Sequence, residues 1–147
     1  MKTLWILDHY SSEPKHGGIA RQYDFAKELA HRGYRVVVIS SSYSHFTHKF
    51  ICEEGCKVIR VDDNVHYAYL RTLPYKGNGI KRLLNMLSFV CSVVRYRSRI
   101  EGNCGKPDVV TGCSIHPFTW IAAYYVSKKY KAKLCVEVRD LWPIVWV

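Results

Sequence analysis

The sequence predicts an α/β fold, a Rossmann-like parallel sheet with helices on both faces, and three observations carry that expectation. Residues 3–7 and 35–40 are continuous apolar runs without alternation, as in strands covered on both sides. Between them Ile19, Tyr23, Ala26, Leu29 and Ala30 keep helical spacing, which makes a βαβ unit with the usual right-handed crossover. The same strand and helix order returns over residues 108–138.

In order, Thr3-Leu4-Trp5-Ile6-Leu7 reads as the central strand. The first helix runs over 19–31, and Gly33 stands where a helix C-cap glycine belongs. Arg35 to Ser40 is a β-branched buried strand. Residues 57–61 and 66–70 read as short strands. Residues 79–100 form the strongest helix, with Ile80, Leu83, Leu84, Leu87, Val90, Cys91 and Val94 expected on its core face and Met86, Phe89 and Val93 as a second stripe. Its ends are basic, so it is either a core helix with solvated cationic ends or one that rests on an anionic membrane. Its apolar part falls far short of the roughly 20 residues a bilayer span requires. A strand at 108–112, a helix opened by Pro117 and a strand at 134–138 complete the pattern.

Composition limits the function. The 147 residues suit one domain, and 48% hydrophobic with 23% charged residues excludes a disordered chain. A net charge of +10 favours an anionic partner: nucleic acid, anionic lipid or a sugar nucleotide. Nucleic acid is disfavoured, because there is no binding motif and the cations are scattered over the ends of several elements. The six cysteines form no Cys-x-x-Cys pair and read as reduced and structural. His45, His48 and His66 lack the complement a metal site needs, so no metal and no cofactor is expected. The N-terminal apolar run is too short for a signal peptide and meets Asp8 at once, which predicts a cytoplasmic chain.

Candidate site residues collect after the strands. Lys15-His16-Gly17-Gly18-Ile19-Ala20-Arg21 lies between the first strand and the first helix. Its two glycines lack the Cβ atoms that would keep a diphosphate from the backbone, and a plain turn into a packing helix explains them equally. Ser114 and His116 follow the 108–112 strand, and Glu137, Arg139 and Asp140 follow the last one, at the edge where ligands bind in open α/β sheets. His16 to Gly18, Ser114 to His116 and Glu137 to Asp140 should converge on one cleft. The competing reading is a structural charge network, Arg139 with Asp140 or Glu137 with Arg139. A dinucleotide-binding enzyme fits less well. The chain has no Gly-x-Gly-x-x-Gly, the connection from Leu7 to Ile19 is too long for that turn, and the second strand ends in Ser40-Ser41-Ser42 where a ribose-binding acid belongs.

Gly17-Gly18-x-x-Arg21, Arg32-Gly33-Tyr34-Arg35-Val36, Ser114-x-His116-Pro117-Phe118 and above all Glu137-Val138-Arg139-Asp140-Leu141-Trp142-Pro143 resemble the N-terminal domain of family 4 glycosyltransferases, nearest to bacterial enzymes of the N-acetyl-L-fucosamine transferase type. The resemblance spans essentially all 147 residues. It implies a GT-B fold and retaining transfer from a nucleotide-diphospho-sugar, without a required metal, to a glycan or polyprenyl-diphosphate-linked acceptor in O-antigen or capsule synthesis. It also implies cytoplasmic location, with peripheral contact at the inner face of the cell membrane. By resemblance Gly17 and Gly18 approach the donor diphosphate, His116 lies near the reacting sugar as the catalytic residue, and Arg139 and Asp140 line or brace the cleft. His16, Arg21, Ser114 and Glu137 are the further substrate-binding candidates.

The expectation drawn from the chain's end is a truncated acceptor-side domain at 1–147 without the donor-binding domain. Such a chain is inactive alone and binds sugar nucleotides more weakly than roughly millimolar. A non-catalytic remnant of a broken reading frame is the alternative.

Overall fold

In a computed structural model, the structure describes residues 1–17 and 19–139. Its elements are β1 (Thr3–Leu7), α1 (Arg21–His31), β2 (Arg35–Ser41), β3 (Cys56–Asp62), β4 (Val65–Leu70), α2 (Ile80–Cys104), β5 (Val109–Cys113), α3 (Phe118–Tyr130) and β6 (Lys133–Glu137). They form one six-stranded sheet of order β3-β4-β2-β1-β5-β6, in which β3 alone is antiparallel to its neighbour. The architecture is α/β and mostly parallel, compatible with a Rossmann-like fold, and β1 is central as expected.

The strands are apolar throughout because they feed two cores. Trp5, Leu7, Val37, Ile39, Ala68 and Leu70 face α2 and α3 on one side. Ile6, Val36, Val38, Tyr67 and Tyr69 face α1 on the other. α1 begins at Arg21, two residues later than its apolar spacing suggested, and Gly33 ends it with φ of 84°. Tyr34 N–H donates back to Leu29 O at 3.2 Å, closing the last turn.

α2 is rotated relative to the sequence expectation. The stripe Ile80, Leu83, Leu84, Leu87 and Cys91 faces outward, and Asn85, Phe89, Val93, Ile100 and Cys104 are buried. Two anchors explain the choice. Phe89 stacks on His9 with ring centroids 4.5 Å apart, and Asn85 Nδ2 donates to Thr72 Oγ1 (2.9 Å) and Leu73 O (2.6 Å) in the preceding loop. One buried aromatic plus an amide whose two N–H groups are both hydrogen-bonded outweighs several leucines that water can still reach. Among the described residues no helix is long and apolar enough to cross a membrane.

Because five strands run the same way, the segments that follow β1, β2, β4, β5 and β6 meet at one edge of the sheet. All six cysteines are free: Cys52, Cys56, Cys104 and Cys113 are buried, Cys91 and Cys135 exposed.

Candidate functional site

Asp8, His9 and Tyr10 leave β1 already buried, although two of them are ionisable groups that favour water. Each is held from far along the chain. Asp8 Oδ2 receives Arg139 Nη2 at 2.9 Å, and Asp8 Oδ1 receives the Tyr10 N–H at 3.2 Å. Burial pushes the Asp8 carboxyl above its ordinary value, against the pull of Arg139 and those hydrogen bonds.

His9 Nδ1 lies 2.8 Å from His116 Nε2, so one of the two nitrogens carries the shared hydrogen. Both rings are neutral in character. Burial pushes His116 down to about 4, helped by Arg82, and lowers His9 well below the usual imidazole value, helped by His116. Thr119 Oγ1 lies 3.4 Å from His116 Nδ1, at the start of α3. His9 Nε2 and Asn85 Oδ1 are buried without a hydrogen-bond partner among the described residues.

β5 brings His116 here because α3 packs closely on it. A Cβ at Gly112 would stand 2.9 Å from Ala123 Cβ and 3.3 Å from Thr119 O, so glycine permits the approach. Arg139 is fixed by Ser114, whose Oγ accepts the Arg139 N–H at 2.6 Å and whose carbonyl accepts Nε–H at 3.3 Å. With one Nη2 hydrogen on Asp8 and Nε–H on Ser114 O, the guanidinium has three N–H groups without an acceptor among the described residues. A neutral imidazole suits a hydroxyl, and a braced, partly open guanidinium suits an oxyanion.

No protein-family model matches this chain, and no curated protein matches its sequence.

The structure brings Ser114 and Arg139 together in a cluster at Asp8, and His116 to His9, the next residue along the chain. Glu137 sits in an adjoining one, where it pairs with Arg21 and accepts from Gln22 Nε2 at 2.9 Å. Burial raises Glu137, but hydrogen bonds from Cys113, Arg21 and Gln22 prevail and leave it below its ordinary value. Gln22 also donates to Cys113 Sγ at 3.2 Å, tying α1 to β5. Among the described residues the carboxylate paired with Arg139 is Asp8, and Glu137 pairs with Arg21 in place of the Glu137–Arg139 pair considered above; an Arg139–Asp140 pair lies outside the described residues.

The glycine loop departs from the expected form. Gly17 closes a 3-10 turn, Pro14–His16, in a left-handed conformation (φ 68°), and its N–H donates to Pro14 O at 3.1 Å, four residues before α1. His16 is tied to Glu13 at 3.6 Å, and Glu13 is itself buried under Tyr69 OH (3.3 Å). Gly18 and Asp140 lie outside the described residues.

Sequence reading missed Asp8 and His9, the two residues that brace Arg139 and His116. Their signal was two polar residues directly after an unbroken apolar strand. Among the described residues no group of three or more His, Cys, Asp or Glu side chains is placed to hold a metal ion.

Proposed function

We propose that this chain forms the acceptor-side half of a glycosyltransferase cleft of the GT-B kind, which moves a sugar from a nucleotide-diphospho-sugar to a glycan or polyprenyl-diphosphate-linked acceptor in surface polysaccharide synthesis. The reaction takes place in the cytoplasm, peripherally at the inner face of the cell membrane. The single observation that supports this reading is the Asp8-braced Arg139 at the carboxyl edge of the sheet, with the neutral His9–His116 pair beginning at the next residue of the chain. A sugar presents hydroxyls and a departing diphosphate presents oxyanions, and this edge has one group for each.

A sugar hydroxyl takes the place of the long Thr119 Oγ1 contact (3.4 Å) at His116 Nδ1, and the ring carries no charge at neutral pH. Arg139, partly open to water, stabilises negative charge as the diphosphate departs. Ser114 holds Arg139 in place, and Glu137, at the end of β6, holds Arg21.

The test is nuclear magnetic resonance of the isotope-labelled chain titrated with a panel of sugar nucleotides and a glycan acceptor at about millimolar concentration. Perturbations centred on His9, Ser114, His116 and Arg139, reduced in Arg139→Gln, are expected. Shifts confined to the opposite edge of the sheet, or none for any sugar compound, reject the reading.

A further inference from the structure

The two buried atoms left without partners beside the site, His9 Nε2 and Asn85 Oδ1, belong to elements that already touch. Asn85 precedes Phe89 by one turn on the buried face of α2, and the Phe89 ring stacks on the His9 ring with centroids 4.5 Å apart. The Asn85 amide also acts on His9 directly, raising its value against the burial that lowers it. The amide cannot turn over. Its two N–H groups go to Thr72 Oγ1 and Leu73 O, and the Leu73 carbonyl can only accept, so Oδ1 is the atom left for His9.

An amide oxygen accepts and never donates, and this decides where the hydrogens of both imidazoles sit. With its hydrogen on Nδ1, His9 would set the Nε2 lone pair against Oδ1, and both buried atoms would stay unsatisfied. With the hydrogen on Nε2 the two atoms satisfy each other. Neutral His9 then has a bare Nδ1, which lies 2.8 Å from His116 Nε2, so the hydrogen between the rings comes from His116. Neutral His116 in turn has a bare Nδ1. Its neighbour there, Thr119 Oγ1, is 3.4 Å away, too far to hold it strongly. One oxygen on α2 thus fixes which atom of His116 offers a lone pair.

We infer that Asn85 is a positioning residue: through His9 it keeps the hydrogen of His116 on Nε2, which makes His116 Nδ1 the hydrogen-bond acceptor of the site. The arrangement of hydrogens stands by itself, and only the ligand rests on the proposed transfer reaction. Whatever takes the place of Thr119 at Nδ1 must donate a hydrogen. A sugar hydroxyl does so, whereas an ether, a carbonyl or an unprotonated phosphate oxygen sets one lone pair against another. Because burial holds His116 down to about 4, the ring accepts the hydroxyl's hydrogen bond and leaves its proton in place at neutral pH.

Nitrogen-15 imidazole spectra of the full chain at neutral pH, with no sugar present, test this, and His9→Gln and His116→Gln assign the two rings. Both rings should be protonated at Nε2 and bare at Nδ1, with a scalar coupling across the hydrogen bond from His116 Nε2 to His9 Nδ1. A hydrogen on Nδ1 of either ring overturns the proposal. Asn85→Leu should shift both rings toward the Nδ1–H form by about five-fold or more, the worth of one net hydrogen bond. Thr72→Val takes one acceptor from the amide but keeps Oδ1, so it should leave the tautomers unchanged. Tautomers that Asn85→Leu leaves alone, or that Thr72→Val shifts equally, overturn the role of Asn85. If Asn85→Leu does not fold, the tautomers of the unaltered chain still decide. The expected tautomers with no response in the sugar titration keep this assignment and remove the transfer reading, and a hydrogen on Nδ1 with a sugar response does the reverse.

Discussion

The two edges of the sheet differ in kind. At the amino edge an open groove of about 770 Å³ runs past Lys2, Arg32, Lys106, Asp108 and Lys133. It is roomy and its charged side chains stand in water. At the carboxyl edge the space beside His9, Tyr10 and Ser41 is small, yet Asp8, His9, Ser114 and His116 are almost wholly buried there. Holding ionisable groups out of water is costly and needs dedicated partners, so burial and pairing locate the chemistry where volume does not. The roomy amino-edge groove shows no such buried pairing among the charged residues that line it.

The comparison breaks most sharply on Arg139→Ala. This removes the one cation that pairs with Asp8 among the described residues, and leaves a carboxylate with no exposure without its ion pair. Arg139 is itself 19% exposed, so water moderates the loss, and about 3 kcal/mol of stability should go, at the low end for a buried pair. Urea unfolding at neutral pH measures it. A loss under about 1 kcal/mol would make the two edges equivalent.

Acid should separate the edges next. Both His116 and His9 have folded values below the usual 6.5, so above pH 6.5 each is neutral in either state and its contribution is complete. As pH falls the unfolded chain takes up protons that the folded chain refuses. Stability should therefore drop between pH 6.5 and about 4, by about 3 kcal/mol for His116 alone. His45 and His66, also lowered by burial, add in the same direction. Asp8 opposes them at lower pH, because its raised folded value lets the native state take a proton first. Urea midpoints measured across that range should fall with acid, and His116→Gln should flatten the slope. An unchanged slope in that variant would place the effect elsewhere.

These two edges were unequally legible in the sequence. The strands were readable because β1 and β2 are buried on both faces and so lack any polar interruption. Ser114, His116 and Arg139 were legible as a group because each follows a strand of the same direction. What was illegible depended on distance along the chain: His9 meets His116 107 residues away, and Asp8 meets Arg139 131 away. Asp8 had been noticed only as the acid that ends an apolar run. The rotation of α2 was also hidden, since counting apolar residues favours the Leu83–Leu87 stripe, and the buried face was decided by one stacking contact and one amide. Glu13 was passed over altogether, although its burial under Tyr69 is what fixes His16.

Gly112→Ala probes how tightly the carboxyl edge is set. The added Cβ would meet Ala123 Cβ at 2.9 Å and the Thr119 carbonyl at 3.3 Å, so α3 must move away from β5. Overpacking of this kind costs about 1–3 kcal/mol. Because Thr119 and His116 travel with the start of α3, the His9–His116 hydrogen bond should weaken as well. Imidazole nitrogen resonances would report it. A destabilised variant with an unaltered histidine pair would mean that the pair does not depend on helix position.

The smallest effect should come from Asp108→Ala at the amino edge. Asp108 Oδ2 accepts the Thr3 N–H at 2.7 Å, and its backbone joins β1 to β6 through Thr3 O and Lys133 N–H. Those backbone bonds survive the substitution. The side chain is exposed, so the freed Thr3 N–H can turn to water, and no charge is left buried. About 1 kcal/mol or less should be lost, with the pH dependence between 6.5 and 4 unchanged, since both histidines are at the other edge. If Asp108→Ala instead costs as much as Arg139→Ala, the amino groove is a built site as well, and the rule that burial and pairing mark the chemistry fails in this molecule.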